Sequence, residues 1–141
     1  MPLDRRSSRI LAMQALCQWE IQRDESSSAL AEFFAGQQAP PDSTSYATAL
    51  VQRFWLQRPE IDERVASASA KWDLARISPV ERNIMRVAVV ELLEGEIPAR
   101  VVLDEAIEIG REFGGAESPR FINGVLDAVF KRMQTPLVEG D

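Results

Sequence analysis

Three arginines, Arg5, Arg6 and Arg9, stand close together near the amino terminus. On a helix their side chains fall within one sector of about 100°. Guanidinium groups arranged this way form a multidentate phosphate clamp, and arginine also stacks on bases. A solvated basic terminus is the plainer alternative, and three arginines alone do not make an RNA-binding protein. Two acidic groups suggest other chemistry. Glu60, Asp62 and Glu63 lie together, as do Asp104, Glu105 and Glu108, and paired carboxylates run acid-base reactions or bind hard metals. Both groups fall at the start or on the polar face of expected helices, where carboxylates are favoured by the helix dipole and by water, so they read as solvated faces. Cys17 shares a stripe with Ile10 and Ile21 and has no evident basic neighbour, which suits a small buried or half-buried hydrophobe better than a reactive thiol. Gly110, Gly114 and Gly115 follow a helix, whereas a phosphate cradle needs its glycines before one.

Composition narrows the function classes further. The 141 residues contain no histidine and one cysteine. That excludes Ser-His-Asp and Cys-His catalysis, an imidazole base, a His-based zinc site and a disulfide framework. Catalytic residues, metal sites and cofactors are therefore not expected. No apolar run approaches the ~20 residues of a membrane span, and no charged-then-apolar leader is seen. The expectation is a cytoplasmic protein without a membrane partner.

Charge is unevenly distributed. The net formal charge is -6, with 14 arginines and only two lysines. Residues 1–23 hold Arg5, Arg6, Arg9 and Arg23 against Asp4 and Glu20, a local charge of +2, so the rest of the chain carries -8. An acidic body repels nucleic acid at long range, so RNA or DNA would have to meet a small local patch, with help from a partner.

The elements that must position these residues are all helical. Apolar residues recur at helical spacing and no segment alternates with period two, so the fold class is all-α. A first helix spans Arg5 to Arg23, with Ile10, Met13, Cys17 and Ile21 on one stripe. The cluster Ser26 to Ser28 ends it and caps a short second helix, Ala29 to Ala35, closed by Gly36. Gln37 to Ser45, with Pro40 and Pro41, reads as a loop. A third helix carries Tyr46, Leu50 and Phe54 and stops near Pro59, which opens a fourth with Ile61, Val65, Ala68 and Trp72 on its buried face. Ser78-Pro79-Val80-Glu81 is a capping box: the serine oxygen accepts from the Glu81 amide, and the Glu81 side chain returns to the Ser78 amide. The fifth helix, Pro79 to Glu94, is apolar nearly all round and belongs at the centre. A sixth carries Leu103, Ala106, Ile107, Gly110 and Phe113 and is stopped by Gly114-Gly115. Ser118-Pro119 caps a seventh, with Phe121, Val125 and Val129 in register. Residues 1–133 form one domain, followed by a frayed acidic tail over 134–141.

Several of these segments resemble the NusB family of transcription antitermination factors. The run Arg5-Arg6-Ser7-Ser8-Arg9 followed by Ala12-Met13-Gln14-Ala15-Leu16-Cys17-Gln18-Trp19 resembles the family's arginine motif and first helix. The block Ser78-Pro79-Val80-Glu81-Arg82-Asn83-Ile84-Met85-Arg86, continuing to Glu91-Leu92-Leu93, is a stronger match. So is the series Ile97-Pro98, Asp104 to Glu108, Phe113-Gly114 and Ser118, ending in Phe121-Ile122-Asn123-Gly124-Val125-Leu126-Asp127. The resemblance covers residues 5–132 and is weakest over 24–71. It implies about seven helices in two small bundles sharing one core. It also implies binding of the boxA element of ribosomal RNA leader transcripts together with NusE, a small-subunit ribosomal protein, within a larger assembly of other Nus factors and RNA polymerase that suppresses premature termination.

Carried over position by position, the resemblance implies an RNA surface of Arg5, Arg6, Arg9, Phe113, Gly114, Glu117 and Arg120. It implies a NusE surface of Cys17, Glu81, Arg86 and Phe121. Where the family usually has tyrosine this chain has Cys17, so an aromatic contact to the partner is lost or replaced. Ser7-Ser8 stand where basic or alanine residues are frequent, which implies lower intrinsic RNA affinity. An alternative from another class is a self-associating scaffold whose RNA surface is masked in a homodimer. The accessory domain fused to ribosomal RNA methyltransferases is disfavoured, because no S-adenosylmethionine site or catalytic domain is seen before residue 141.

Overall fold

The computed structural model describes residues 5–69 and 73–134. Among the described residues six α-helices follow one another: α1 (Arg5–Gln22), α2 (Ser27–Gly36), α3 (Pro41–Ala68), α4 (Pro79–Glu94), α5 (Ala99–Phe113) and α6 (Ser118–Gln134). A single 3-10 turn, Leu74–Arg76, precedes α4. The described residues contain no strand. None of these helices is long and apolar enough to cross a membrane. The tail beyond Gln134 and Trp72 lie outside the described residues; Gln134 itself is the last residue of α6.

Local signals explain most boundaries. Ser26 caps α2 by accepting from the Ala29 amide at 3.1 Å. Ser78 caps α4 by accepting from the Glu81 amide at 3.2 Å, with Pro79 in the first turn where its missing N–H costs nothing. Gly95 ends α4 in the left-handed conformation, φ 73°, returning its amide to the Glu91 carbonyl.

The number of helices differs from the seven expected. The third and fourth expected helices are one, α3, which bends where Gln57 leaves helical geometry (φ -114°, ψ 18°) two residues before Pro59. The proline ring clashes with the preceding turn, and the chain answers by kinking and continuing. Buried side chains on both sides of the bend, Phe54, Ile61 and Val65, hold the two arms to the same core. The expected loop over Gln37 to Ser45 is also shorter, because Pro41 opens α3 with Asp42 in its first turn.

The buried apolar residues form one continuous cluster drawn from all six helices, the single shared core that was expected. At its centre is α4, whose Met85, Val89 and Val90 are fully buried. Helix α1 runs beside α3 in the same direction: Ser8 Oγ donates to the Ser43 carbonyl at 2.8 Å near their starts, and Trp19 meets Phe54 edge-on at 5.7 Å farther along. Against α4 it runs in reverse, with Cys17 near Pro79 and Arg9 near Glu91. Helices α5 and α6 close the opposite side, meeting where Gly110 lies under Ile122.

Candidate nucleic-acid and partner interface

The three amino-terminal arginines share one end of the molecule but not one environment. Arg9 is 5% exposed. Its Nε donates to Glu91 Oε1 at 2.7 Å and its Nη1 to Glu105 Oε1 at 3.4 Å. Arg6 is exposed and grips the same Glu105 through two donors, at 3.0 and 2.5 Å. Arg5 instead lies over the ring of Tyr46, 4.3 Å from guanidinium carbon to centroid. Tyr46 Oη donates to the other oxygen of Glu91 at 2.5 Å. Burial, followed by the hydrogen bond and charge of Glu91, pushes the tyrosine pKa up to about 12, so the phenol stays a donor.

Two expectations are corrected here. Arg9 does not stand on the accessible clamp: it is buried, where Glu91 and Glu105 supply the counter-charge that a buried guanidinium requires. Glu105 is not part of a solvated acidic face, because it bridges Arg6 and Arg9. Glu91 and Tyr46 were not among the expected site residues: Tyr46 read only as a position on its helix stripe and Glu91 only as part of a matching block. The available signal was a lone carboxylate within the apolar run Val87 to Leu93, since a charge placed there needs a buried partner.

About 15 Å away along α4, the ten-residue rise from Glu91 back to Glu81, a second group of expected residues gathers at the other end. Ser118, 3% exposed, accepts from the Gly115 amide at 2.9 Å and donates to Glu81 Oε2 at 2.8 Å. Glu81 Oε1 takes the Ser78 hydroxyl at 2.9 Å. Its carboxylate thus meets two hydroxyls, in place of the Ser78 amide expected from the capping box. Ser118 is likewise the first residue of α6 and folds back on the glycine turn, while the Glu117 carbonyl takes the Phe121 amide. Gly114 lacks a side chain for a concrete reason: a Cβ would lie 2.6 Å from that of Ser118 and 2.9 Å from the Gly110 carbonyl.

The same end opens into a groove of about 240 Å³ lined by Arg76, Ile77, Ser78, Glu81, Glu117 and Phe121. Phe113, the last residue of α5, is 37% exposed, and Arg120 is exposed in the first turn of α6. The expected RNA residues therefore divide into an arginine patch and a glycine-turn patch. Glu117, from the expected RNA set, shares its groove with Glu81 and Phe121, from the expected partner set.

Arg86 requires a third correction. It is 6% exposed, forks Asp62 at 2.8 and 3.0 Å, and gives Nη1 to Glu20 at 2.7 Å and to Asn83 Oδ1 at 3.0 Å. Arg82 forks the same Glu20 at 2.6 and 2.8 Å. Arg86 is thus a buried tie between α1, α3 and α4 and not a surface contact. Burial works to raise the Glu20 pKa, but Arg82, Arg86 and Asn83 together outweigh it and hold the group below the ordinary range. Asp62, expected on a solvated face, belongs to this network. Cys17 is half-buried, accepts from Asn83 Nδ2 at 3.4 Å and is pushed up in pKa by burial. Among the described residues, no three His, Cys, Asp or Glu side chains are grouped to hold a metal.

The model of the NusB family matches residues 6–131. The chain belongs to the NusB family. It is 37% identical over 130 residues to the transcription antitermination protein NusB of Syntrophus aciditrophicus (strain SB), covering 92% of this chain and 81% of that one. The NusB of Frankia casuarinae is 41% identical over 114 residues, 77% of this chain and 84% of the relative. Among solved structures, a crystal form of T. maritima NusB is 34% identical, with a TM-score of 0.79 and 93% of both chains covered. A crystal structure of antitermination factors NusB and NusE in complex with dsRNA superimposes with a TM-score of 0.81 over 91% of this chain and 96% of that one. At 24% identity it speaks for the NusB fold alone.

Proposed function

We propose that the protein is a transcription antitermination factor that binds boxA RNA of ribosomal RNA leader transcripts jointly with NusE and, with other Nus factors and RNA polymerase, prevents premature termination. Membership of the NusB family over residues 6–131 carries this proposal. It is supported by the relatives' shared name and by the NusB of similar fold that was crystallised with NusE and dsRNA. In this assignment Arg5, Arg6, Phe113, Gly114, Glu117 and Arg120 face RNA, while Cys17, Glu81 and Phe121 face NusE. Arg9 and Arg86 act from beneath by holding α1 in place. The charge distribution fits such an adaptor, because an acidic body with Glu81 and Glu117 at the Phe121 groove attracts a basic protein, and the joint surface then meets RNA. The partner also supplies cationic charge that this chain lacks, since Arg6 and Arg9 are already paired with carboxylates. The test is boxA RNA binding titrated with NusE. Weak binding alone and markedly tighter binding with NusE is expected; equal affinity in both cases would overturn the joint surface.

A further inference from the structure

The arginine patch holds less free charge than its composition suggests. Arg9 is neutralised by Glu91 and Arg6 by Glu105, whereas Arg5 has no carboxylate partner among the described residues. It rests instead on an aromatic face. Resting on the RNA-binding assignment, we propose that Arg5 and Tyr46 form a stacking platform: the Tyr46 ring holds the Arg5 guanidinium flat, and the outer face of that guanidinium receives an unpaired nucleobase of the bound RNA.

Each layer is fixed by the one beneath it. Arg9, buried against the core, orients Glu91, and Glu91 takes the Tyr46 hydroxyl at 2.5 Å, which anchors the outer end of the ring. At 4.3 Å from the ring centroid the Arg5 guanidinium is within cation–π range. Arg5 is exposed, so its side chain stays accessible to a ligand. A planar cation in that setting offers a base a flat, weakly hydrated surface, as aromatic residues do in single-strand binding proteins. Lysine has the same charge but no plane. Arg5 is thus a base contact, Arg6 remains a phosphate contact, and Tyr46 is a positioning residue.

The test uses the full chain with NusE and a short single-stranded boxA RNA, either intact or made abasic at one position at a time. Arg5→Lys should lose about tenfold in affinity for intact RNA, the scale of one base–side-chain stack. It should lose little for the RNA abasic at the stacked position. Tyr46→Phe, which keeps the ring, should bind more tightly than Tyr46→Leu, and a fluorescent purine at that position should be quenched by wild type but not by Arg5→Lys. Equal losses by Arg5→Lys on intact and abasic RNA, or no loss at all, would overturn the platform while leaving RNA binding standing. Failure of the wild-type complex to bind any boxA RNA would overturn both.

Discussion

Ser118 Oγ donates to Glu81 Oε2 at 2.8 Å and so joins the first turn of α6 to the first turn of α4 across 37 residues of sequence. The same carboxylate takes the Ser78 hydroxyl that caps α4. One side chain therefore holds a cap, an interhelical tie and a wall of the Phe121 groove. Glu81→Gln should keep the fold, with a loss of about 1 kcal/mol in denaturant unfolding for weakening a cap and a charged hydrogen bond. Glu81→Lys should in addition lose NusE binding while boxA contacts at Arg5 and Arg6 persist. Calorimetric titration with NusE checks this, and undiminished binding by the lysine variant would remove Glu81 from the partner surface.

Gly114→Ala should destabilise more than Gly110→Ala. At position 114 the new methyl meets Ser118 and the Gly110 carbonyl, backbone that cannot easily yield, whereas at 110 it meets chiefly the flexible end of Ile122. A cost of about 1–3 kcal/mol is typical of such overpacking. Thermal unfolding of the two variants orders them directly.

Arg9 and Arg86 should behave as structural residues. Replacing Arg9 by alanine leaves the buried Glu91 without its cation, and replacing Arg86 takes the cation from the half-buried Asp62 and one of two from Glu20, which keeps Arg82. A loss of about 3 kcal/mol or more is expected for breaking a buried pair. An Arg9→Glu variant would therefore report on folding, so the RNA contact is read from Arg5 and Arg6 changed together. That double variant should melt close to wild type and bind boxA RNA poorly.

Acid should erode stability through Glu20. Its pKa is lowered in the folded protein from an ordinary value of 4.5, so the unfolded chain takes up the proton first. The contribution is present above that value and is lost as pH falls through the lower, folded pKa. Denaturant titrations at falling pH should show wild type losing stability below about pH 4.5, with a shallower loss in Glu20→Gln.

Cys17 should react slowly with thiol reagents at neutral pH, since burial raises its pKa and disfavours the thiolate. Alkylation rates in native buffer and in denaturant measure this; equal rates would mean the thiol is more open than its contacts with Asn83 and Pro79 imply.

The parts of the fold that were legible in the sequence rest on local chemistry. Ser26, Ser78 and Gly95 act through neighbours three or four residues away, and the apolar surface of α4 identifies the central helix without reference to any partner. Pro59 misled because a proline kink and a proline start look alike until the core on both sides is known. The arginines of the candidate site misled for a related reason. Arg9 finds Glu91 and Glu105 at 82 and 96 residues' distance, and Arg86 finds Asp62 24 residues back. Charge on a helix reads as solvated until its counter-charge is located in space. The glycine turn was recognisable as a stop, but the use of Ser118 as a link to Glu81 depends on α4 arriving there.

The burial of Ser8 and Arg9 constrains the first turns of α1. That stretch cannot fray without opening the Ser43 contact and the Glu91 pair. Basic arms that fold only when they meet nucleic acid lose conformational freedom on binding, and their affinity is reduced by that loss. Here the ordering of Arg5 and Arg6 is largely completed when the protein folds, so even a small cationic patch can engage RNA with little entropic opposition.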